Sequence, residues 1–395
     1  MKAEDVKASL EWAKGFTEVS LYNDNIQSVE VVDDYTVRIT TPTPSPVLLF
    51  NLTQHGNAIV PKKLIDEGHD FNTQPIGTGP YKFVSWTRGD QVEFEAFEDY
   101  YLGEPSIKHV IWKIIPEGSS RTIALEAGEV DLVIEVEAMD VERIQENDKL
   151  ATIQYKPTSV TWVMLNNEKQ FMDNENIRHA INCAIDKESV VTVALNGLGE
   201  PALAQMPTNI PGVTEENADQ YDVEKAKEWL EKSGVDPAEI KFSIICSDDT
   251  KKRAGEVVQA NLKEIGIECT LESMDLATYL SATAEGDFVA AIGGYGMSDT
   301  ISYFNGVFHS ETMNASNKSR LNNPEIDALI DQASKTIDKE EREALTTQCA
   351  AMLNQICSQA PLYQTISLRA FNADLEGVTI NDAGDLRIEN VSWKK

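Results

Sequence analysis

A chain of 395 residues is too long for a single core and implies two or three domains, while 42% hydrophobic and 25% charged residues is an ordinary globular make-up. Its 34 basic against 65 acidic side chains give a formal charge of −31, which argues against nucleic acid, whose phosphates need basic surface, and against a polybasic membrane anchor. No run reaches the roughly 18–20 apolar residues of a transmembrane helix.

In chain order, Met1-Lys2-Ala3-Glu4-Asp5 starts inside a charged helix. Ser28–Val32 and Thr36–Thr40 alternate as a hairpin with Asp33-Asp34 at the turn, followed by a proline-rich turn (Pro42, Pro44, Pro46) and a short helix. Gly77, Gly79 and Pro80 mark a tight turn. Tyr81–Trp86 and Gln91–Phe97 alternate like half-buried strands around Arg88-Gly89-Asp90. Val110–Ile115 is a third β-rich run, Ser119–Ala127 a helix closed by Gly128, and Val130–Val136 a strand. Thr158–Asn166 is β-like and leads to the helix Asn176–Ala184.

Beyond that point strands and helices alternate at longer spacing. Asp222 caps a helix Val223–Lys232 that Gly234 stops. Strand Lys241–Cys246, helix Lys251–Ile265, strand Ile267–Glu272 and strand Phe288–Gly293 follow. Asn323-Pro324 opens one helix and Asp338–Cys357 forms another. This spacing predicts crossover units and a largely parallel core. The last thirty residues return to β-type sequence.

Enzyme motifs are missing: there is no GxSxG, P-loop, HExxH or GxGxxG. Histidines 55, 69, 109, 179 and 309 are scattered without an i,i+4 pair, so neither a haem nor a metal site is expected, and His179 reads as a hydrogen-bonded structural residue. Gly77-Thr78-Gly79 precedes a strand, not a helix, and is a turn rather than a phosphate nest. Five cysteines (183, 246, 269, 349 and 357) include no CxxC. Cys349 and Cys357 are about 12 Å apart along a helix, too far for a disulfide. Cys246 and Cys269 end two β-like runs that can be neighbours, with buried free thiols the favoured reading.

Three blocks carry a family resemblance: GTGPYKFVSW…DYYLGEPSI…IPEGSSRTIALEAGEVDL within Pro75–Ile134; Leu165–Glu168 with Asn174–Lys187; and Lys2–Leu10. A weaker fourth is Ile292–Ser310. In this order they resemble the extracellular solute-binding proteins of peptide/nickel ABC importers. The resemblance implies an α/β, two-lobed periplasmic-binding-protein-like fold with an extra N-terminal subdomain. Residues 1–78 are then the remnant of that subdomain, 79–160 with 367–395 the first lobe, and 161–366 the second. By the same comparison an export signal and on the order of a hundred N-terminal residues are missing, leaving the first lobe incomplete and edge strands exposed.

The implied function is capture of short peptides in the inter-lobe cleft and delivery to a membrane permease, by an extracytoplasmic monomer tethered as a lipoprotein, with no cofactor and no covalent chemistry. Alternatives are oligosaccharide or metal-chelate ligands for the same importer class, a two-lobed hydrolase, or a receptor or folding role. The site expectation centres on Gly293–Asp299, a glycine-aromatic-glycine run after a buried strand, where open α/β sheets bind ligands. From it Gly294, Tyr295, Gly296, Ser298 and Asp299 are candidates, with Tyr303 just after. In peptide-binding members an aspartate two residues after the triplet pairs with the peptide's α-ammonium. Here Ser298 holds that position and Asp299 follows one later, and Tyr295 replaces the usual Trp. Trp162 and Asn166, where the chain crosses between lobes, and Tyr363, before the return crossing, complete the set, and Arg121 is read as a structural ion-pair residue.

Overall fold

The computed structural model describes all residues except 17, 18, 20, 21, 382, 383 and 395. They divide into two units, Met1–Ile153 with Leu368–Lys395, and Gln154–Ser367.

In the first unit, helix Ala3–Ala13 buries Leu10 with Ile26 and Val29. The hairpin Ser28–Asp33/Thr36–Thr40 turns one residue later than the sequence suggests, at Asp34-Tyr35. The cause is local: the Asp33 carboxylate accepts from Tyr35 N at 2.9 Å, an Asx bond that closes the turn from the strand end. Tyr81–Thr87, Gln91–Ala96 and His109–Lys113 form an antiparallel sheet. Helix Gly118–Glu126 ends at Gly128, whose φ of 72° favours glycine. A second sheet is ordered Leu132–Val133, Ser367–Asn372, Leu150–Tyr155. It packs on Leu125, Val136 and Ile144. The predicted strand Val130–Val136 is a regular ladder only at Leu132 and Val133, opposite Phe371 and Ala370.

The second unit is built on a six-stranded sheet ordered Glu268–Ser273, Lys241–Cys246, Ala290–Gly296, Ser159–Leu165, Gln359–Thr365, Gly199–Pro201. It is mixed, not largely parallel. The first three strands are parallel because single helices, Asp249–Glu264 and Leu276–Glu285, connect them. The other pairings are antiparallel. Those strands are joined through several helices, so crossover spacing does not fix their direction.

Alternation along Ser159–Leu165 divides two cores: Val163 and Leu165 face one, Val160, Trp162 and Met164 the other. Helix ends follow their local signals. Asp222 accepts from Lys225 N at 3.0 Å, and Gly234 takes the left-handed conformation after Ser233. Asn323 caps Pro324–Ala333, and Asp338 and Cys357 bracket Lys339–Ile356. All five cysteines are free and buried. Phe242 lies opposite Cys269 and Ser273 opposite Cys246, so the two thiols sit four residues apart in register, about 13 Å.

Candidate functional site at the end of the second unit's sheet

The pairings bring Gly296, Ser159, Thr365, Gly199, Cys246 and Ser273 to one end of the sheet. This is the carboxyl end of the three parallel strands, where a ligand can meet loops and helix N-termini.

Strand Ala290–Gly296 reaches furthest. Its pairing with Lys241–Cys246 is registered only at Ala290 and Ala291, while its other side stays paired with Ser159–Leu165 through Gly296. Asn166 N donates to Val289 O and Met297 N to Thr158 O. Odd-numbered residues therefore face Ser159–Leu165, and even-numbered ones turn their N–H and C=O to the opposite side. There Tyr279 Oη donates to Ile292 O at 2.8 Å, and Gly294 and Gly296 come next, both exposed. The result is a short strand edge carrying main-chain donors and acceptors but no side chains.

The glycines differ in purpose. A Cβ on Gly293 would stand 2.3 Å from Tyr279 Oη and 2.6 Å from Met164 Cε, so this glycine serves packing. One on Gly294 would meet Val160 O at 2.8 Å, so a side chain there would disturb the pairing strand. Half-buried Tyr295 stands edge-on to Tyr303, centroids 5.3 Å apart. Gly306 leaves room for its hydroxyl, which a Cβ would approach to 2.8 Å. Tyr303 is fully buried and donates to Tyr295 O at 3.2 Å. Burial holds its phenol well above the usual range.

Asp299 caps helix Thr300–Phe308, its Oδ2 accepting from Ser302 N at 2.7 Å. It is partly exposed, and Oδ1 has no hydrogen bond among the described residues. Ser298 Oγ lies 3.2 Å from Thr158 Oγ1. Thus Gly294, Tyr295, Gly296, Ser298 and Asp299 share one surface segment with Tyr303 beneath it.

The remaining candidates lie inside the unit. Trp162 is 1% exposed and donates from Nε1 to Gln205 O at 2.9 Å. Asn166 is wholly buried, with Nδ2 donating to Gly286 O and Phe288 O. Tyr363 is 3% exposed, and burial raises its pKa. Residues that sequence reasoning passed over are Thr158, Ser159 and Thr161, which oppose the glycine edge, and Ser247 with Asp248. Asp248 caps Asp249–Glu264. Burial pushes its carboxyl up, yet the bonds to Lys251 outweigh this and hold it below the usual range. An acidic residue directly after a buried strand was the available signal.

A second polar cluster is wholly internal. His179, Asp219 and Cys357 bring their ligand atoms within 4.8 Å of one another. His179 Nδ1 lies 2.7 Å from Asp219 Oδ2 and Nε2 lies 2.8 Å from Gln355 O, while the ring stacks on Trp229 at 4.5 Å. Both ring nitrogens are occupied, so a metal would have to break one of these bonds. The arrangement is that of a structural histidine. Arg121 is likewise structural, bonding to Ile115 O, Pro116 O and Glu135 O and pairing with Glu135 and Glu137.

A main-chain edge beside a carboxylate can hold a ligand by its backbone and one charge. Residues 1–315 match the family "Bacterial extracellular solute-binding proteins, family 5 Middle", and the chain belongs to that family. Heme-binding protein A of Haemophilus influenzae is 27% identical over 366 residues, covering 89% of this chain and 67% of its own. Oligopeptide-binding protein AppA of Bacillus subtilis is 26% identical over 395 residues, covering 91% and 71%. The solved periplasmic binding protein DppA of Helicobacter pylori, in complex with the peptide STSA, superposes with a TM-score of 0.80 at 25% identity, over 100% of this chain and 82% of its own. The chain spans 65–70% of the first relatives' own lengths. As a member of this family it acts outside the cytoplasm, and among the described residues no helix is long and apolar enough to cross a membrane.

Proposed function

We propose that the chain is the solute-capturing component of an ABC importer, that its cargo is a short peptide, and that Gly294, Gly296 and Asp299 hold that peptide before it passes to a membrane permease. The observation that carries this reading is an open strand edge beside a carboxylate with one oxygen unengaged. An extended peptide adds to such an edge through its main chain, which gives affinity without reading sequence. Its α-ammonium supplies the cation that Asp299 Oδ1 lacks. Tyr295 offers apolar area next to the same edge. The names of AppA and DppA's bound STSA support peptide as the ligand class. A binding role is supported by the family, which is one of solute-binding proteins, and by Ser298, whose hydroxyl lies against Thr158 at the edge.

The test is calorimetric titration with di- to pentapeptides, each with a free and an acetylated α-amino group, against the parent and Asp299→Asn. Asparagine caps a helix as well as aspartate, so the variant removes the charge and keeps the fold. A charge-assisted bond worth about 1.5–3 kcal/mol predicts a roughly 10–100-fold weaker Kd in Asp299→Asn. Acetylation is expected to cause a similar loss in the parent and none in the variant. Absence of binding by every peptide to a cooperatively melting protein, or equal affinity of the two proteins, overturns the reading.

A further inference from the structure

The open edge of strand Ala290–Gly296 covers only part of its length, and a side chain closes the rest. The neighbouring strand Lys241–Cys246 pairs with it at Ala290 and Ala291 and no further. The last carbonyl of that neighbour, Cys246 O, accepts from Met274 N, on the side away from Ala290–Gly296. The next main-chain acceptor along the edge is Ile292 O, to which Tyr279 Oη donates at 2.8 Å. The edge is therefore taken at Ile292 and open at Gly294 and Gly296, both exposed.

Tyr279 is held firmly in that place. Asp275 caps its helix, Oδ1 accepting from Ala277 N at 3.0 Å and from Thr278 N at 3.1 Å, and Oδ2 from Thr278 Oγ1 at 2.6 Å. Tyr279 N then donates to Asp275 O at 3.0 Å, which sets the ring one turn after the cap. The side chain is 5% exposed and lies in the core that holds Met164 and Phe288. Gly293 leaves the space that the hydroxyl occupies. Burial raises the phenol's pKa, so it stays a protonated donor. A ligand that displaced it from Ile292 O would leave a buried hydroxyl unpaired, and the exchange would gain little.

We infer that Tyr279 is a length stop: it ends the strand edge at Ile292 and confines main-chain recognition to about the first four residues of a bound peptide. The inference rests on the peptide-capture reading, in which the α-ammonium meets Asp299 and the peptide runs from there toward Ile292. One peptide residue exchanges two hydrogen bonds with Gly296, and the residue two further on exchanges two with Gly294. One residue before this pair reaches toward the carboxylate, so the ladder is about four residues long. The next position able to pair lies opposite Ile292, two residues later, and Tyr279 already fills it. Longer peptides bind by the same first residues and carry the remainder without main-chain bonds. Tyr279 is thus a specificity residue, one that sets how much of a peptide counts and not which side chains it bears.

The test is calorimetric titration of the full chain and of Tyr279→Leu with peptides of alternating alanine and serine, two to eight residues long, with free α-amino groups and amidated ends. Leucine keeps apolar packing and clears Ile292 O. In the parent, affinity is expected to rise at least about tenfold from two residues to four, and to change less than about twofold from four to eight. In Tyr279→Leu the six-residue peptide is expected to bind about tenfold tighter than the four-residue one, whose own affinity stays within about twofold of the parent's. A second measurement needs no variant: in the parent complex, amide exchange of the octapeptide is expected to slow at least about tenfold in its second to fourth residues and not in its last three. A parent affinity that keeps climbing to eight residues, or protection of the last three amides, overturns the inference and leaves peptide capture standing. So does a plateau that a cooperatively melting Tyr279→Leu keeps unchanged. Absence of binding at every length by the cooperatively melting parent overturns peptide capture and this inference with it.

Discussion

Lys187→Met is expected to stabilise the protein at neutral pH, and to do so less as the solution becomes alkaline. Lys187 is the first residue of helix Lys187–Leu195, is 3% exposed, and its Nζ has no hydrogen-bond partner among the described residues. Burial pushes the ammonium down from 10.5 to about 8, against the opposing pull of the Asp219 carboxylate. The positive end of its own helix acts in the same direction as burial. At 1.36 kcal/mol per unit, holding this charge inside costs on the order of 3 kcal/mol. Between pH 8 and 10.5 the unfolded chain keeps a proton that the folded chain has released, so stability rises with pH across that window. Below about 8 both states are charged and the penalty is fully present, and above 10.5 both are neutral and it is gone. Methionine fills similar space without the charge. Calorimetric melting at pH 6–10.5 is expected to show Lys187→Met roughly 6–12 °C above the parent at pH 7, with the gap closing through the window above. A gap that does not depend on pH, or a variant that melts lower at pH 7, refutes the reasoning.

Further outcomes follow from the same packing. Gly293→Ala is expected to destabilise by about 1–3 kcal/mol in urea denaturation, because its Cβ would strike Tyr279 Oη and Met164 Cε. Tyr279→Phe in the same background is expected to recover part of the loss. Asp222→Ala removes the cap on Lys225 N and is expected to lower stability by about 1 kcal/mol, while Asp222→Asn restores most of it. Burial pushes the thiols of Cys183 up to about 12 and of Cys269 up to about 11, and raises Cys349 and Cys357 as well. A thiol reagent is therefore expected to leave these four unmodified in the native protein at pH 8 and to titrate all five cysteines after denaturation.

Helix ends were the most legible part of the chain because their signals are local. Asp222 and Gly234 bound one helix and Asn323 with Pro324 opens another, each acting within one turn. The sheet was less legible. Crossover spacing foretells neighbours joined by one helix, and it succeeds for the three parallel strands. It says nothing of Ser159–Leu165 and Gln359–Thr365, whose partners come from far along the chain. Strand Ala290–Gly296 ran past its predicted end because Ser159–Thr161 pairs with residues that have little β-propensity of their own.

The candidate site divides along the same line. Gly294–Asp299 was legible because a glycine run after a buried strand is a local pattern. The placement of Trp162 and Tyr363 was not, since both faces of their strands are covered and alternation cannot tell a core from a pocket. The His179–Asp219 pair joins residues forty positions apart, and no spacing rule anticipates it.

The chemistry of the strand edge at Gly294 and Gly296 sets what it can hold. Gly294 and Gly296 present backbone with no side chains, next to a carboxylate that is solvated and already held by its cap. Leaving that edge uncovered sacrifices little, since water satisfies its polar groups and the half-buried Tyr295 is the apolar area beside it. An occupant can therefore come and go, as a transported solute must.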